Sequence, residues 1–313
     1  MNFKNIVELS GDASHRKFYR DKKNNSIIVY ANKEKRKNLL IYAAINELLN
    51  NNKILTPRLI SEKYKKNYII IEDLGDYTGL KKFKNYKIDN YIKLFEILKK
   101  LKLVRKRTIN TFLKTNYAIK NYSNNELLRE AKLFSDWYMP KIIKKKISVS
   151  KKLYIKIIKK LILRLKSKKK VFVHRDFHIS NIMIKKNKIY LIDSQDAVFG
   201  NEAYDLASLI DDVRVKVKLK NREKIYEKFI SKQKKINPEK LRNDFEILSI
   251  LRNLKIIGIF TRLSKRDKKH KYLKLIPYAW KMIDERRKNN NRFEELNSFL
   301  SIHLQKNLKK NEN

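Results

Sequence analysis

No cysteine occurs among the 313 residues. Its absence excludes disulfides, thiolate zinc sites, cysteine-ligated iron–sulfur clusters and a cysteine nucleophile together. Glycine (5) and proline (4) are scarce, which excludes collagen-like, linker-rich and glycine-rich-repeat architectures. No apolar run reaches the ~18 residues that a membrane span needs. The N-terminal MNFKNIVELSGD has no apolar signal-peptide core, so a cytoplasmic protein with no membrane partner is expected. Acid is the scarce charge, with 32 Asp and Glu against 77 Lys and Arg, a net +45. By itself that surplus suggests a polyanion partner. The cations, however, are spread along the chain instead of gathered in a tail or stripe, and Lys, Asn and Ile crowd every segment. The surplus reads as compositional drift on a solvated surface, and nucleic acid is not the expected partner. Hydrophobic residues are plentiful at 42%, enough to bury a core in one large domain or two modest ones.

Short apolar runs predict strands at Ile6–Leu9, Phe18–Arg20 and Ser26–Ala31. Between the first two lies GDASHRK (Gly11–Lys17), a small-residue turn loaded with cations. Leu40, Ile41, Ala44, Ile45, Leu48 and Leu49 recur at helical spacing. Strands follow at Arg58–Ser61 and Tyr68–Glu72, the second running into a turn at Asp73–Asp76. From about Asp89 the pattern is helical, with Tyr91, Leu94, Phe95, Leu98 and Leu101 on one face. The helical regime breaks at Val171–Val173 and at Ile182–Ile184 and Ile189–Ile192, two strands joined by a tight polar turn. Helices resume at about Glu202, and the last long ones cover Pro238–Arg266 and Leu275–Lys288. This order predicts an α+β, two-lobed chain. Residues 1–75 form a small strand-rich N-lobe with a hinge near 72–75, and 76–313 form a larger helical C-lobe carrying a loop and hairpin at 171–193.

The chemistry concentrates in residues 171–212. A strand ending in His174-Arg175-Asp176 puts Asp176 on a loop at a sheet edge. Asn181 lies five residues later and Asp193 twelve beyond that, at the end of a hairpin able to fold it back beside Asn181. Carboxylate and amide oxygens are hard ligands that suit Mg²⁺, which keeps waters and shares its remaining positions with phosphate. The same set serves phosphoryl transfer: one Asp accepts the substrate hydroxyl's proton, and the Asn and second Asp hold the metal. Plain turn chemistry competes, since Asp and Asn favour loops. A metal site of His174, His178 and Asp176 is poorly supported, because the remaining three of the 5 histidines lie far away in sequence. His174 reads as a brace for the loop, and His178 as a brace or a substrate contact.

HRDFHISN (His174–Asn181), followed by IYLIDSQDA and YDLASLIDD, resembles the aminoglycoside phosphotransferase/choline kinase superfamily, which has a protein-kinase-like fold. More narrowly, the chain resembles the kinases that phosphorylate the anomeric hydroxyl of N-acetylmuramate and N-acetylglucosamine. The closer likeness is carried by GDASHRKFYR (Gly11–Arg20), EDLGD (Glu72–Asp76), LFSDWY (Leu133–Tyr138), LIDSQDA (Leu191–Ala197) and LKIIGIFTRLSKRD (Leu254–Asp267). The resemblance implies an ATP- and Mg²⁺-dependent kinase with a small-molecule sugar acceptor in cell-wall recycling; a monomer is expected, although the sequence does not itself give the oligomeric state. It implies Asp176 as catalytic base, Asn181 and Asp193 as metal ligands, and Glu72 to Leu74 as the backbone hinge that reads adenine. Asp205 would support the catalytic loop or serve as a plain helix charge. Trp137 would stack on a sugar ring or pack in the core. An aminoglycoside or choline-like acceptor, and a non-catalytic nucleotide-binding module, remain open as alternatives.

Two departures from that pattern matter. Arg175 stands where many phosphotransferases carry Gly. The strand that should present a phosphate-pairing Lys reads Ser26-Ile27-Ile28-Val29-Tyr30, so the usual Lys–Glu pair cannot form in the usual way, and Glu47 is either the Glu half without its Lys or a plain solvated helix residue. The implied replacement is Arg16 or Lys17 as a nucleotide-binding cation facing the phosphates.

Overall fold

The computed structural model describes residues 6–9, 16–83, 86–143, 146–233 and 236–305. Of the cation-rich turn expected at Gly11–Lys17, residues 11–15 lie outside the described set. The chain divides into two compact units, one of Met1–Asn121 with Val171–Phe199, the other of Tyr122–Lys170 with Gly200–Asn313.

The first unit is built on a five-stranded sheet of β1 (Ile6–Leu9), β2 (Arg16–Asp21), β3 (Ser26–Ala31), β4 (Leu59–Lys63) and β5 (Tyr68–Glu72). Its order is β1-β2-β3-β5-β4, with every pairing antiparallel. The central strand β3 is SIIVYA, buried along most of its length; β-branched residues suit a strand covered on both faces. Helix α1 (Lys37–Asn51) lays Leu39, Tyr42 and Ala43 against Ile27, Val29, Ile69 and Ile71. Each large apolar side chain buried there contributes about 1.5–3 kcal/mol.

After β5 come α2 (Gly79–Lys82), α3 (Ile88–Leu103) and a short hairpin of β6 (Thr108–Asn110) and β7 (Asn116–Ala118). This hairpin falls where the sequence reads as helical: strands of three residues are too short to show a period of two. The chain re-enters the unit with β8 (Lys170–Val173), β9 (Ile182–Lys185) and β10 (Lys188–Leu191), and reaches its end in β11 (Val198–Asn201). Strands β9 and β10 pair antiparallel with Ile182 opposite Leu191, through a two-residue turn at Lys186 and Asn187, both at positive φ, as tight hairpins require. The Leu191 N–H donates to the Leu55 carbonyl (2.8 Å) and the Ile184 N–H to that of Tyr77 (2.9 Å). The hairpin therefore groups with the strands, and the division does not coincide with the 1–75/76–313 split that the sequence suggests.

Gly79 makes α2 possible at its place, since a Cβ there would stand 2.3 Å from the Ile179 carbonyl oxygen. We expect Gly79→Ala to destabilise this unit by about 1–3 kcal/mol, read as a lowered urea midpoint.

The second unit is helical. Its elements are α4 (Asn124–Leu133), α5 (Met139–Ile142), α6 (Ile147–Leu163), α7 (Tyr204–Ile210), α8 (Leu219–Ser231), α9 (Pro238–Asp267), α10 (Ile276–Arg287) and α11 (Glu294–Leu300). Ser123 caps α4 by accepting the Glu126 N–H (3.2 Å), and Asn237 caps α9 by accepting that of Lys240 (2.9 Å). Helix α9 is buried on nearly all sides through most of its length, as expected of an axial helix. Between α4 and α5, Phe134–Tyr138 widens into a π turn. Gly258 of α9 lies against it, so close that a Cβ would stand 2.3 Å from the Leu133 carbonyl carbon. Among the described residues no helix is long and apolar enough to cross a membrane.

Candidate active site

The loop after β8 starts from a fully buried His174, whose ring meets Phe177 edge-on at 6.2 Å. Burial pushes the imidazole pKa below its ordinary value, opposed by Asp176, Asp193 and a hydrogen bond to the Ile192 backbone. A neutral ring thus ties the loop to the residue just ahead of Asp193. Arg175 has φ +72°, a left-handed conformation that glycine adopts without cost. Here the Arg175 guanidinium donates to the Asp196 carbonyl (3.3 Å), joining the loop after β8 to the segment after the hairpin.

Asp176 is half-buried. Its backbone carbonyl accepts the His178 N–H (2.9 Å) and the Asn181 side-chain amide (3.0 Å). Among the described residues no Lys or Arg pairs with the Asp176 carboxylate. That bond engages the Asn181 Nδ2, and Oδ1 is the acceptor atom of the same amide. The Ile192 N–H donates to the Asn181 carbonyl (3.1 Å), which sets Asn181 alongside the residue preceding Asp193. His178 is buried, with Nδ1 2.8 Å from the Ser180 hydroxyl.

Asp193 follows β10 in a left-handed conformation, φ +67°. Its carboxylate is gripped by Arg16. The alternation of β2 turns Arg16 inward and leaves Lys17 exposed. The Arg16 guanidinium lies over the rings of Phe18 (5.4 Å) and Tyr42 (4.9 Å). Side-chain exposure is 4% for Arg16 and 38% for Asp193, so the open side of the pair is the carboxylate. Asn181 Oδ1 and the Asp193 carboxylate are hard oxygen donors that fit Mg²⁺. Among the described residues no three His, Asp or Glu side chains are placed to hold a metal ion together, so water and phosphate would complete the shell, as Mg²⁺ prefers.

The turn after β5 is held by cations that the sequence did not single out. Arg20 forks onto Asp73 (2.7 Å) and Asp76 (2.8 Å). Lys185 of β9 reaches Glu72 and the Asp73 carbonyl, each at 2.8 Å. Asp73 also accepts the Gly75 N–H (2.8 Å), and Gly75 takes φ +77°. Leu74 is buried, and among the described residues its backbone N–H donates to no protein acceptor. Nothing in the sequence separates Arg20 and Lys185 from the other cations of the 77; their partners are defined only by the tertiary fold.

Asp205 and Trp137 belong to the second unit. Asp205 is buried in the first turn of α7. Trp137 is half-buried on the π turn. Tyr138 and Trp280, and not Trp137, line a concavity of 730 Å³ in that unit, with the Trp280 indole N–H donating to the Tyr138 hydroxyl (3.0 Å).

An N-acetylmuramate/N-acetylglucosamine kinase of Neisseria meningitidis is 27% identical over 249 residues, covering 77% of this chain and 72% of its own length. One of Pseudomonas putida is 26% identical over 290 residues, covering 90% and 83%. A solved choline/ethanolamine kinase family protein from Mesorhizobium loti shares the fold with a TM-score of 0.63 at 11% identity, over 94% of this chain and 92% of that one. The model of the phosphotransferase enzyme family matches residues 5–255, from the start of β1 into α9, and so takes in both the sheet and the loop–hairpin. By that match the chain is a member of the phosphotransferase enzyme family, a kinase that acts on a hydroxyl.

Proposed function

We propose that the chain is an ATP-dependent sugar kinase that phosphorylates the anomeric hydroxyl of N-acetylmuramate or N-acetylglucosamine, in cell-wall sugar recycling. The observation that carries the catalytic part is the Asp176–Asn181 bond (3.0 Å). It ties the Asn181 amide to the loop residue whose carboxylate has no paired cation among the described residues, an arrangement that supports this reading. The acceptor rests on the relatives of 27% and 26% identity named above.

In this reading Asp176 accepts or orients the proton of the acceptor hydroxyl, and the phosphoryl group passes in line. Asn181 and Asp193 would hold Mg²⁺, which supplies charge neutralisation on the phosphate oxygens. Arg16 adds a fixed positive charge beside Asp193, while Lys17, exposed on the other face of β2, remains a candidate phosphate contact. The Leu74 N–H and the Glu72 carbonyl pair with the adenine edge, and Arg20 and Lys185 keep that turn in place. His174 and His178 brace the loop. Positioning and preorganised charge supply the acceleration, since phosphoryl transfer needs little covalent help.

Arg20→Ala would release Asp73 and Asp76 from one guanidinium. We expect KM for ATP to rise on the order of threefold to tenfold with kcat much less affected, as steady-state kinetics at saturating sugar would reveal.

The deciding experiment measures ADP release with N-acetylmuramate, N-acetylglucosamine, choline and kanamycin as acceptors, with phosphorus NMR to locate the new phosphate. Turnover with the amino sugars and an anomeric phosphate is expected. Turnover with kanamycin or choline alone would overturn the acceptor, and no ATP-dependent transfer to any of them would overturn the kinase assignment for these substrates.

A further inference from the structure

Kinase-like sites usually steady the phosphates with a strand Lys paired to a helix Glu. Here β3 has no Lys, and Glu47 of α1 is exposed. Helix α1 instead turns Tyr42 and Asn46 inward, one helical turn apart and each 2% exposed. The Tyr42 ring supports the Arg16 guanidinium at 4.9 Å, and Arg16 grips Asp193. Asn46 Oδ1 accepts the hydroxyl of Ser194, the residue directly after Asp193, and Ser194 is fully buried. The path closes on itself, from Asp193 through Arg16, Tyr42, α1, Asn46 and Ser194 back to Asp193.

The segment after α1 joins the same block. Asn46 Nδ2 donates to the Pro57 carbonyl (3.1 Å). The Thr56 hydroxyl donates to the Asn46 carbonyl (3.0 Å) and the Thr56 N–H to Asn50 Oδ1 (3.1 Å). The Leu55 carbonyl accepts the Leu191 N–H (2.8 Å). The block therefore holds the chain two residues before Asp193 and one residue after it, and Arg16, braced on the same helix, holds its carboxylate. A non-glycine residue at positive φ persists only where its surroundings over-determine it, and these bonds are what over-determine Asp193. Such a device uses neutral hydrogen bonds and one buried cation where a Lys–Glu pair would use two charges.

We propose that Asn46 and Ser194 are positioning residues for Asp193, and that this circuit takes the place of the Lys–Glu pair in tying α1 to the metal-binding carboxylate. The proposal rests on the kinase reading above, so its test is read without any acceptor sugar. The full chain and the variants Ser194→Ala, Asn46→Ala and Ser194→Thr are melted with a non-hydrolysable ATP analogue, with and without Mg²⁺, and kcat and KM for ATP are measured in parallel. Ser194→Ala and Asn46→Ala are expected to lose most of the Mg²⁺-dependent part of the thermal shift and to keep the Mg²⁺-independent part. Their kcat falls on the order of tenfold, and the double variant is no worse than the poorer single one, as expected for two residues sharing one bond. Ser194→Thr, which keeps a hydroxyl, restores both readouts, and Asn46→Ala decides the matter should Ser194→Ala fail to fold. A lowered ligand-free Tm with the Mg²⁺-dependent shift and kcat both intact would reduce the circuit to a structural role and overturn the proposal. Wild-type protein with no Mg²⁺-dependent shift would overturn the kinase reading and the circuit together, whereas equal shifts in wild type and both alanine variants would overturn the circuit alone.

Discussion

Asp176→Asn is expected to lower kcat by about 10²–10⁴-fold, the range lost with a positioned acid–base group, while KM for ATP changes little. The reason lies in how the site divides its work. The structural bonds of residue 176 run through its backbone carbonyl, which accepts from His178 (2.9 Å) and Asn181 (3.0 Å). An isosteric amide keeps both. The side chain, by contrast, has no paired cation among the described residues, so removing its charge leaves no partner stranded and imposes no folding penalty. What disappears is the charge that, in the proposed function, receives the acceptor's proton. Steady-state kinetics beside a melting curve separates the two: turnover collapses and Tm stays close to wild type. Asp193→Asn should behave differently. It weakens the pairing of Arg16, a guanidinium 4% exposed, and a buried cation without its counter-ion is costly, so that variant loses stability as well as turnover. Near-wild-type turnover in Asp176→Asn would remove Asp176 from the role of base.

What the sequence disclosed follows from which interactions are local. The runs Ser26–Ala31 and Tyr68–Glu72 announce β3 and β5 because strands buried on two faces need unbroken apolar residues, and both match the observed strands residue for residue. Pro238–Arg266 became α9, one residue longer, because a proline at N1 and an Asn cap mark its start. The loop–hairpin that brings Asn181 beside Asp193 was legible because only short spacings are involved. The partners of the cations were not legible. Arg20 meets Asp73 and Asp76 from more than fifty residues away, and Lys185 meets Glu72 from farther still. Any of the 77 basic residues is an equally good candidate until the sheet order is known. Arg16 was singled out as a phosphate cation, yet the structure sets it on Asp193. The strand alternation of β2 holds half of that answer, since it places Arg16 and Lys17 on opposite faces. The inward-facing partner from α1 was missed because Asn46 looks like an ordinary helix residue, and Glu47 beside it has the expected chemistry on the wrong face.

In the second unit the largest expected effect is on stability, from Asp211→Ala, at about 3–5 kcal/mol, the cost of breaking a buried ion pair. Asp211 is completely buried at the C-terminal end of α7. Its carboxylate accepts from Arg222 (2.5 Å), from Arg286 (2.9 and 3.0 Å) and from the Ser249 hydroxyl. Arg222 and Arg286 have side chains 1% and 2% exposed. Removing Asp211 leaves Arg222 with Glu285 and Arg286 with Glu223, two carboxylates at the edge of the core, and so strips the network of its innermost negative charge. Burial pushes the Asp211 carboxyl up, but Arg286, Arg222 and the hydrogen bonds from Arg286 and Ser249 outweigh it and hold the pKa well below the ordinary 3.8. A depressed folded-state pKa contributes stability that is fully present above the unfolded value and is lost as pH falls toward the folded one. The gap between wild type and Asp211→Asn is therefore flat across neutral pH and narrows only below about pH 4. Both tryptophans, Trp137 and Trp280, lie in the second unit, so intrinsic tryptophan fluorescence in urea reports from this unit. A midpoint unchanged at pH 7 would mean that the network adds nothing beyond what apolar packing supplies. A gap that narrows well above pH 4 would mean that some other carboxylate, less deeply buried, carries the linkage.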